Sequence, residues 1–279
     1  MPRLPTGLSM SKIVAVENDK GGCGKTTTAY NLATDLKSRN YTVALIDNDP
    51  QKGSVRWKQG SLDPEKTPMV VPIENPLTKN DIEFANTLDF LIIDGAPGFG
   101  NDKRLKSSHD LLHELLHMPD DEISPKAKTE IKGRIRKIFG FDGTIAAKLS
   151  AAIKLADLVI IPTIPSIQDL EPTLNMIDRL LIPHKSIHNK PDYKVLLTSS
   201  GEKTKLYDSV INTLKAQNIP YFNSPIVTRE IYRQSTTGGF TVIDAISGNQ
   251  KAKQETQNAT NEVLEYFGMP THKEKEVIA

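Results

Sequence analysis

Four apolar residues, Ile13-Val14-Ala15-Val16, lead almost directly into Lys20-Gly21-Gly22-Cys23-Gly24-Lys25-Thr26-Thr27. The next residues, Thr26 to Arg39, read as a helix with Ala29, Leu32, Ala33 and Leu36 on one face. A short unbroken apolar run is the pattern of a strand buried on both sides. Glycines in the turn let backbone N–H groups converge, and the helix beyond adds partial positive charge at its first turn. Strand, Gly-rich turn and helix in this order make a unit that requires further strands beside it.

Those strands are legible. Val43-Ala44-Leu45-Ile46 ends at Asp47, and Phe90-Leu91-Ile92-Ile93 ends at Asp94. Met69-Val70-Val71, Leu158 to Ile161 and Val195 to Leu197 read as three more, with a helix over about Leu170 to Leu181. Strands alternating with helices predict an α/β fold, a mainly parallel twisted sheet with helices on both faces. Sites in such sheets collect at the carboxyl ends of the strands, where the Gly-rich loop, Asp47 and Asp94 all fall. One domain is expected over residues 12–270, after a loose leader at 1–11 and before a charged tail at 271–279. Between Gly100 and Leu149 no strand pattern occurs. Ser107 with Asp110 resembles a capping box ahead of Leu111, Leu112, Leu115 and Leu116. Ser124-Pro125 opens a second pattern with Ile131, Ile135 and Ile138, stopped by Gly140. Residues 100–149 therefore read as a helical insertion.

Composition sets limits. With 38% hydrophobic and 25% charged residues the chain supports one large core. A net charge of +1 gives no general basic field, so any nucleic-acid contact must come from local patches. The single cysteine, Cys23, excludes an internal disulfide and a four-thiolate metal site, and its place in a Gly-rich loop argues against a buried structural thiol. No apolar run approaches the ~20 residues of a membrane helix, and the first eleven residues lack the apolar stretch of a signal peptide. The expectation is a cytoplasmic protein.

Gly24-Lys25-Thr26 supplies a lysine for the β- and γ-phosphates of a nucleotide and a hydroxyl for Mg²⁺. The bland alternative is a Gly/Lys-rich turn that binds nothing, and the strand before and helix after it oppose that reading. The loop departs from the usual Gly-x-x-x-x-Gly-Lys. Asp19 stands at the first glycine's place and a second lysine, Lys20, precedes Gly21-Gly22. This resembles the deviant P-loop of the ParA/MinD group of ATPases. The resemblance continues in Ile46-Asp47-Asn48-Asp49-Pro50-Gln51 with Ser54 and Trp57, and in Ile92-Ile93-Asp94-Gly95-Ala96, whose wording is closest to small ParF-type partition ATPases. Ala156 to Pro162, Pro165-Ser166 and Thr228-Arg229-Glu230-Ile231-Tyr232 extend it over roughly residues 12–245.

The resemblance implies ATP and Mg²⁺ as ligands, and an ATP-dependent sandwich homodimer in which Lys20 reaches the partner's phosphates. It implies Gly21, Gly22, Cys23 and Gly24 around the phosphates, with Lys25 neutralising their charge. Thr26 and Asp94 would serve the metal, Thr27 the α-phosphate, and Asp47 or Asp49 the attacking water. Thr198 and the segment from Pro225 to Thr228 would lie near adenine. A single acidic residue at a strand end is often only a turn or cap residue; three beside this loop argue for a shared site. The family's ATP-bound dimers bind DNA without sequence preference, for which Lys203, Lys205, Arg229 and Arg233 are the candidates here. The functional expectation is a plasmid- or chromosome-partition ATPase, nucleoid-associated when ATP-bound, whose slow hydrolysis is stimulated by a small centromere-binding adaptor. A related ATPase that positions another cargo is the near alternative. A carboxylate-activating ligase of the dethiobiotin synthetase type is the distant one, opposed by the Asp-x-Asp-Pro-Gln segment. A nitrogenase iron-protein type would need two cluster cysteines per subunit.

Weaker signals remain. His109, His113 and His117 would stack on one helix face, more as a rim beside leucines than as a metal site. Lys126, Lys128, Lys132, Arg134, Arg136 and Lys137 form a basic helix, a solvated face by default and a phosphate or acidic-partner contact otherwise. Thr271 to Ala279 is too polar for an amphipathic membrane helix, so no membrane partner is expected.

Overall fold

A computed structural model of the chain describes residues 11–75, 77–96, 145–201, 204–244 and 249–273. The His109, His113 and His117 row, the basic helix at 126–137, Lys203 and most of the 100–149 stretch lie outside the described residues.

Six strands, β1 (Lys12–Val16), β2 (Val43–Asp47), β3 (Met69–Pro72), β4 (Phe90–Asp94), β5 (Leu158–Thr163) and β6 (Asp192–Leu197), form one sheet in the order β3-β2-β4-β1-β5-β6. Every pairing is parallel. Alternate residues of a strand point to opposite faces, so each apolar run feeds two cores. Val14, Val16, Leu45 and Ile92 pack beneath α1 (Lys25–Ser38), α2 (Gly53–Gln59) and α8 (Gln250–Tyr266). Ala15, Ile46, Leu91 and Ile93 pack on the other face beneath α3 (Ile145–Leu155), α4 (Ile167–Met176) and α6 (Lys205–Ala216). The expected parallel sheet with helices on both sides is the observed fold. A third, small cluster joins α7 (Glu230–Gly238) to α8 through Ile231, Val242, Ile243 and Ala252.

Two elements differ from the sequence expectation. The helix read over about Leu170–Leu181 begins at Ile167, where Ser166 caps it by accepting the Asp169 N–H. It then passes through a widened turn, Ile177–Leu181, into α5 (Ile182–His188). Pro183 has no N–H to give to the preceding turn, so the ordinary ladder cannot run straight through that junction. Residues 145–149 of the stretch read as inserted belong to α3, and the fully buried Leu149 is a core residue. The domain core has therefore resumed by Ile145.

The start of the expected tail is fastened to the body. Lys273 Nζ pairs with Asp89 at 2.8 Å, and its N–H donates to the Arg39 carbonyl at 3.0 Å. Arg39 also clamps α1 to α8 by donating to Asp35 at 2.7 Å and to Asn261 at 2.5 Å. On the same face Trp57 stacks on Tyr30, with ring centroids 4.4 Å apart, and its indole N–H donates to the Phe240 carbonyl at 3.0 Å.

Candidate nucleotide site

Parallel register sets the site. Val16 of β1 and Asp47 of β2 both stand opposite Asp94 of β4, so the strand ends come level and the Gly-rich loop opens beside two aspartates. Gly22 and Gly24 have φ of 77° and 92°, a left-handed backbone that side chains disfavour, and Gly24 caps α1. The loop curls around the Lys25 ammonium, which donates to the carbonyls of Asn18 at 3.1 Å and Lys20 at 2.7 Å.

Cys23 corrects one sequence expectation. It is buried, with its thiol donating to the Lys20 carbonyl at 3.2 Å. Beneath it Thr198, at the end of β6, donates its hydroxyl to the Cys23 carbonyl at 2.7 Å. The loop turns inward onto this prop, which carries the thiol out of solvent.

Asp94 is fully buried, and both its oxygens are taken: Thr26 donates at 3.3 Å and Ser54 at 2.7 Å. Burial raises its pKa to about 7, and the negative charges of Asp47 and Asp49 add to that rise against the two hydroxyls. Asp47 is spent on backbone, accepting the N–H groups of Asp49 at 3.2 Å and Val55 at 2.9 Å, so it anchors the start of α2. Burial raises its pKa despite these bonds. Asp49 is half-buried and accepts the Gln51 N–H at 2.8 Å. Gly53 brings α2 against α1, since a Cβ there would come within 3.2 Å of Thr26.

Lys20 behaves differently from Lys25. Its side chain is 36% exposed and its ammonium pairs with Asp169 of α4 at 2.5 Å. Thr27 borders a narrow apolar cleft with Thr28, Leu196 and Ile226, so the expected α-phosphate residue and the Pro225–Thr228 segment meet at one place. That segment runs beside the end of β6, with Ile226 N–H donating to Leu197 and Thr228 N–H to Ser200. Lys205 and Arg233 are exposed. Arg229 is not a free cation: its guanidinium holds Glu255 at 3.0 and 2.5 Å.

Three residues of the site, Asn18, Asp169 and Glu17, were not singled out from sequence, and a fourth, Ser54, was named there without a role. Asn18 donates to the Pro162 carbonyl at 2.6 Å and to Thr173 at 3.1 Å, and accepts the Lys20 N–H at 3.0 Å, tying the loop to β5 and α4. Ser54 holds Asp94, and Asp169 holds Lys20. Glu17 is fully buried at the end of β1. For Glu17 and Asn18 the available signal was their place directly after an apolar strand, where a packed interior rarely tolerates polar residues without purpose.

Residues 14–239 match the CbiA family, the CobQ/CobB/MinD/ParA nucleotide binding domain. The chain belongs to this family. Across nearly its whole length this ParA/MinD-type chain is 24% identical, over 263 residues, to maintenance of carboxysome distribution protein A of Gloeobacter kilaueensis, covering 92% of this chain and 95% of that one. It is 23% identical over 266 residues to protein ParA of Rhizobium radiobacter, covering 94% and 96%. A plasmid partition protein of Borrelia burgdorferi bound to AMPPNP shares its fold at a TM-score of 0.58 and 17% identity, over 92% of this chain and 99% of that one. Cyanothece McdA in complex with ATP does so at 0.58 and 17%, over 95% and 100%. Among the described residues no helix is long and apolar enough to cross a membrane.

Proposed function

We propose that this ParA/MinD-family protein is a Mg²⁺-dependent ATP hydrolase that partitions plasmid or chromosomal DNA. ATP holds two copies in a sandwich that binds DNA without sequence preference, and hydrolysis stimulated by a small adaptor releases them. The observation that carries this reading is the division of labour between two lysines of one loop. Lys25 is enclosed by its own loop, suited to the phosphates bound there. Lys20 is partly exposed and held by a carboxylate from another element, suited to reach outward to a second copy's phosphates. The carboxysome-distribution relatives support a second reading of the same machine, in which the cargo is a protein assembly.

The chain's residues fit the ligands. The loop offers converging backbone N–H groups and an ammonium that donates to two carbonyls and the Cys23 sulfur of the same loop. Mg²⁺ keeps several waters and needs few protein ligands, so Thr26 and Asp94 with phosphate oxygens suffice. When bound, the ion neutralises charge on the phosphates and favours the ionised form of Asp94. Thr198 would hold the loop in shape at the nucleotide's base side, with Pro225 nearby.

ATP-dependent dimerisation measured by light scattering, together with binding to random DNA that weakens steeply with salt, is the expected result. Turnover that requires a small carboxylic acid would sink the reading. Lys20→Ala is expected to bind ATP normally and to lose adaptor-stimulated hydrolysis; unaltered stimulated turnover would remove the role given to Lys20.

A further inference from the structure

Glu17 has no place in the site as sketched above, yet it stands inside it. Its side chain is fully buried, and among the described residues neither carboxylate oxygen has a hydrogen-bond partner. A carboxyl group left so is costly, and such groups persist where something else requires them. Its surroundings say what. The charged groups that act on it are Lys25, Asp94 and Asp49, the same three that would surround the terminal phosphate and metal of a bound nucleotide. It also rests on Gly95, directly after Asp94: a Cβ at 95 would overlap the Glu17 carboxylate. The carboxylate thus fills the space a side chain following Asp94 would occupy, and only glycine there admits it.

The other fully buried acidic residues of the site are already engaged. Asp94 spends both oxygens on Thr26 and Ser54, and Asp47 spends both on backbone N–H groups. Asp49 spends one on Gln51. We infer that Glu17 holds the water that attacks the terminal phosphate and receives its proton. In that step the water oxygen bonds to the γ-phosphorus while the bond from phosphorus to the β–γ bridging oxygen breaks. The bridging oxygen leaves with its electron pair as ADP. The water's proton passes to a Glu17 oxygen and from there to the released phosphate, so the carboxylate is regenerated. This inference rests on the ATP-hydrolase reading above.

Glu17→Gln preserves size and removes the proton acceptor. The expected result is single-turnover ATP hydrolysis slowed about 100-fold, with affinity for a fluorescent ATP analogue within about twofold of the unaltered chain. The thermal midpoint of the nucleotide-free variant should stay close to that of the parent, because the amide occupies the same space. Glu17→Asp, which keeps the charge on a shorter arm, should recover part of the rate at unchanged affinity. Hydrolysis by Glu17→Gln at the parent rate would overturn the role, as would an affinity loss equal to the rate loss. If Glu17→Gln does not fold, a Glu17→Asp variant with the full parent rate overturns it equally. A parent chain that neither binds nor hydrolyses ATP sinks the hydrolase reading itself; parent turnover beside an unaffected Glu17→Gln sinks only the part given to Glu17.

Discussion

Asp94 and Glu17 end neighbouring strands of one sheet and are equally buried, yet their situations are opposite. Asp94 is enclosed by hydroxyls from two helices that converge on it, and each oxygen has its donor. Glu17 has no donor among the described residues. A buried polar group that is satisfied contributes to holding its elements together, whereas an unsatisfied one only weakens the fold that carries it. The difference separates a scaffold carboxylate, already in its working geometry, from one whose partner arrives with the ligand. Lys25 and Lys20 repeat the contrast at shorter range: one is enclosed by its own loop and the other held at arm's length by Asp169.

The largest effect that would sharpen this comparison belongs to Lys25. Lys25→Ala should lower ATP affinity at least 100-fold in a fluorescence titration, because a charge-assisted contact to phosphate is lost at the centre of the loop. Near-normal binding would place the phosphates elsewhere. Asp94→Asn should come next, with hydrolysis down about 100-fold and the Mg²⁺ dependence of binding flattened. Its thermal midpoint without metal should rise at pH 8, where the parent buries a charge and the variant does not; a fall would show that the ionised form is well solvated.

Gly95→Ala is the direct way to break the contrast. A methyl group there overlaps Glu17 and should cost about 1–3 kcal/mol of stability by overpacking, read as a lower urea midpoint. Combining it with Glu17→Ala should return most of that loss, since the two changes share one space. Additive losses would mean that the two residues do not meet.

The smallest effect is in pH. The folded chain holds the Asp94 proton up to about pH 7, whereas the unfolded chain releases it near the ordinary value of 3.8. Between those limits the folded state binds more protons, so stability from this group is greatest below pH 3.8 and declines as pH rises toward 7. Burial moves Glu17 upward as well, so it acts in the same direction. The metal-free thermal midpoint of Asp94→Asn should therefore depend less on pH between 4 and 7 than that of the parent. Mg²⁺ affinity should rise over the same interval, as the carboxylate becomes available.

Much of this was legible before the fold was seen. Unbroken apolar runs ending in Asp47 and Asp94 gave parallel strands and located the site, because a sheet covered on both faces leaves no polar alternation to confuse the reading. Gly22, Gly24 and Lys25 gave the loop for the same reason that it works: left-handed turns need glycine and the phosphates need a lysine. The supports were harder to find. Thr198 lies 175 positions from Cys23, and Asp169 is remote from Lys20 in sequence, so only the crossing of β5 and β6 brings them to the loop. Cys23 was misread because burial inside a loop depends on what props it from below. Glu17 was passed over because one acidic residue after a strand reads as a turn residue until its neighbours are known.

Trp57 adds a practical consequence. It is the chain's single tryptophan, and it lies in α2, whose first residue Gly53 abuts Thr26. Its indole is stacked on Tyr30 of α1 and tethered to the Phe240 carbonyl beyond α7. All indole emission from this protein therefore originates at one junction, between the helix that begins at the phosphate loop and the helix anchored by Asp47. A change in that emission on adding nucleotide would report movement at this junction, with no dye attached.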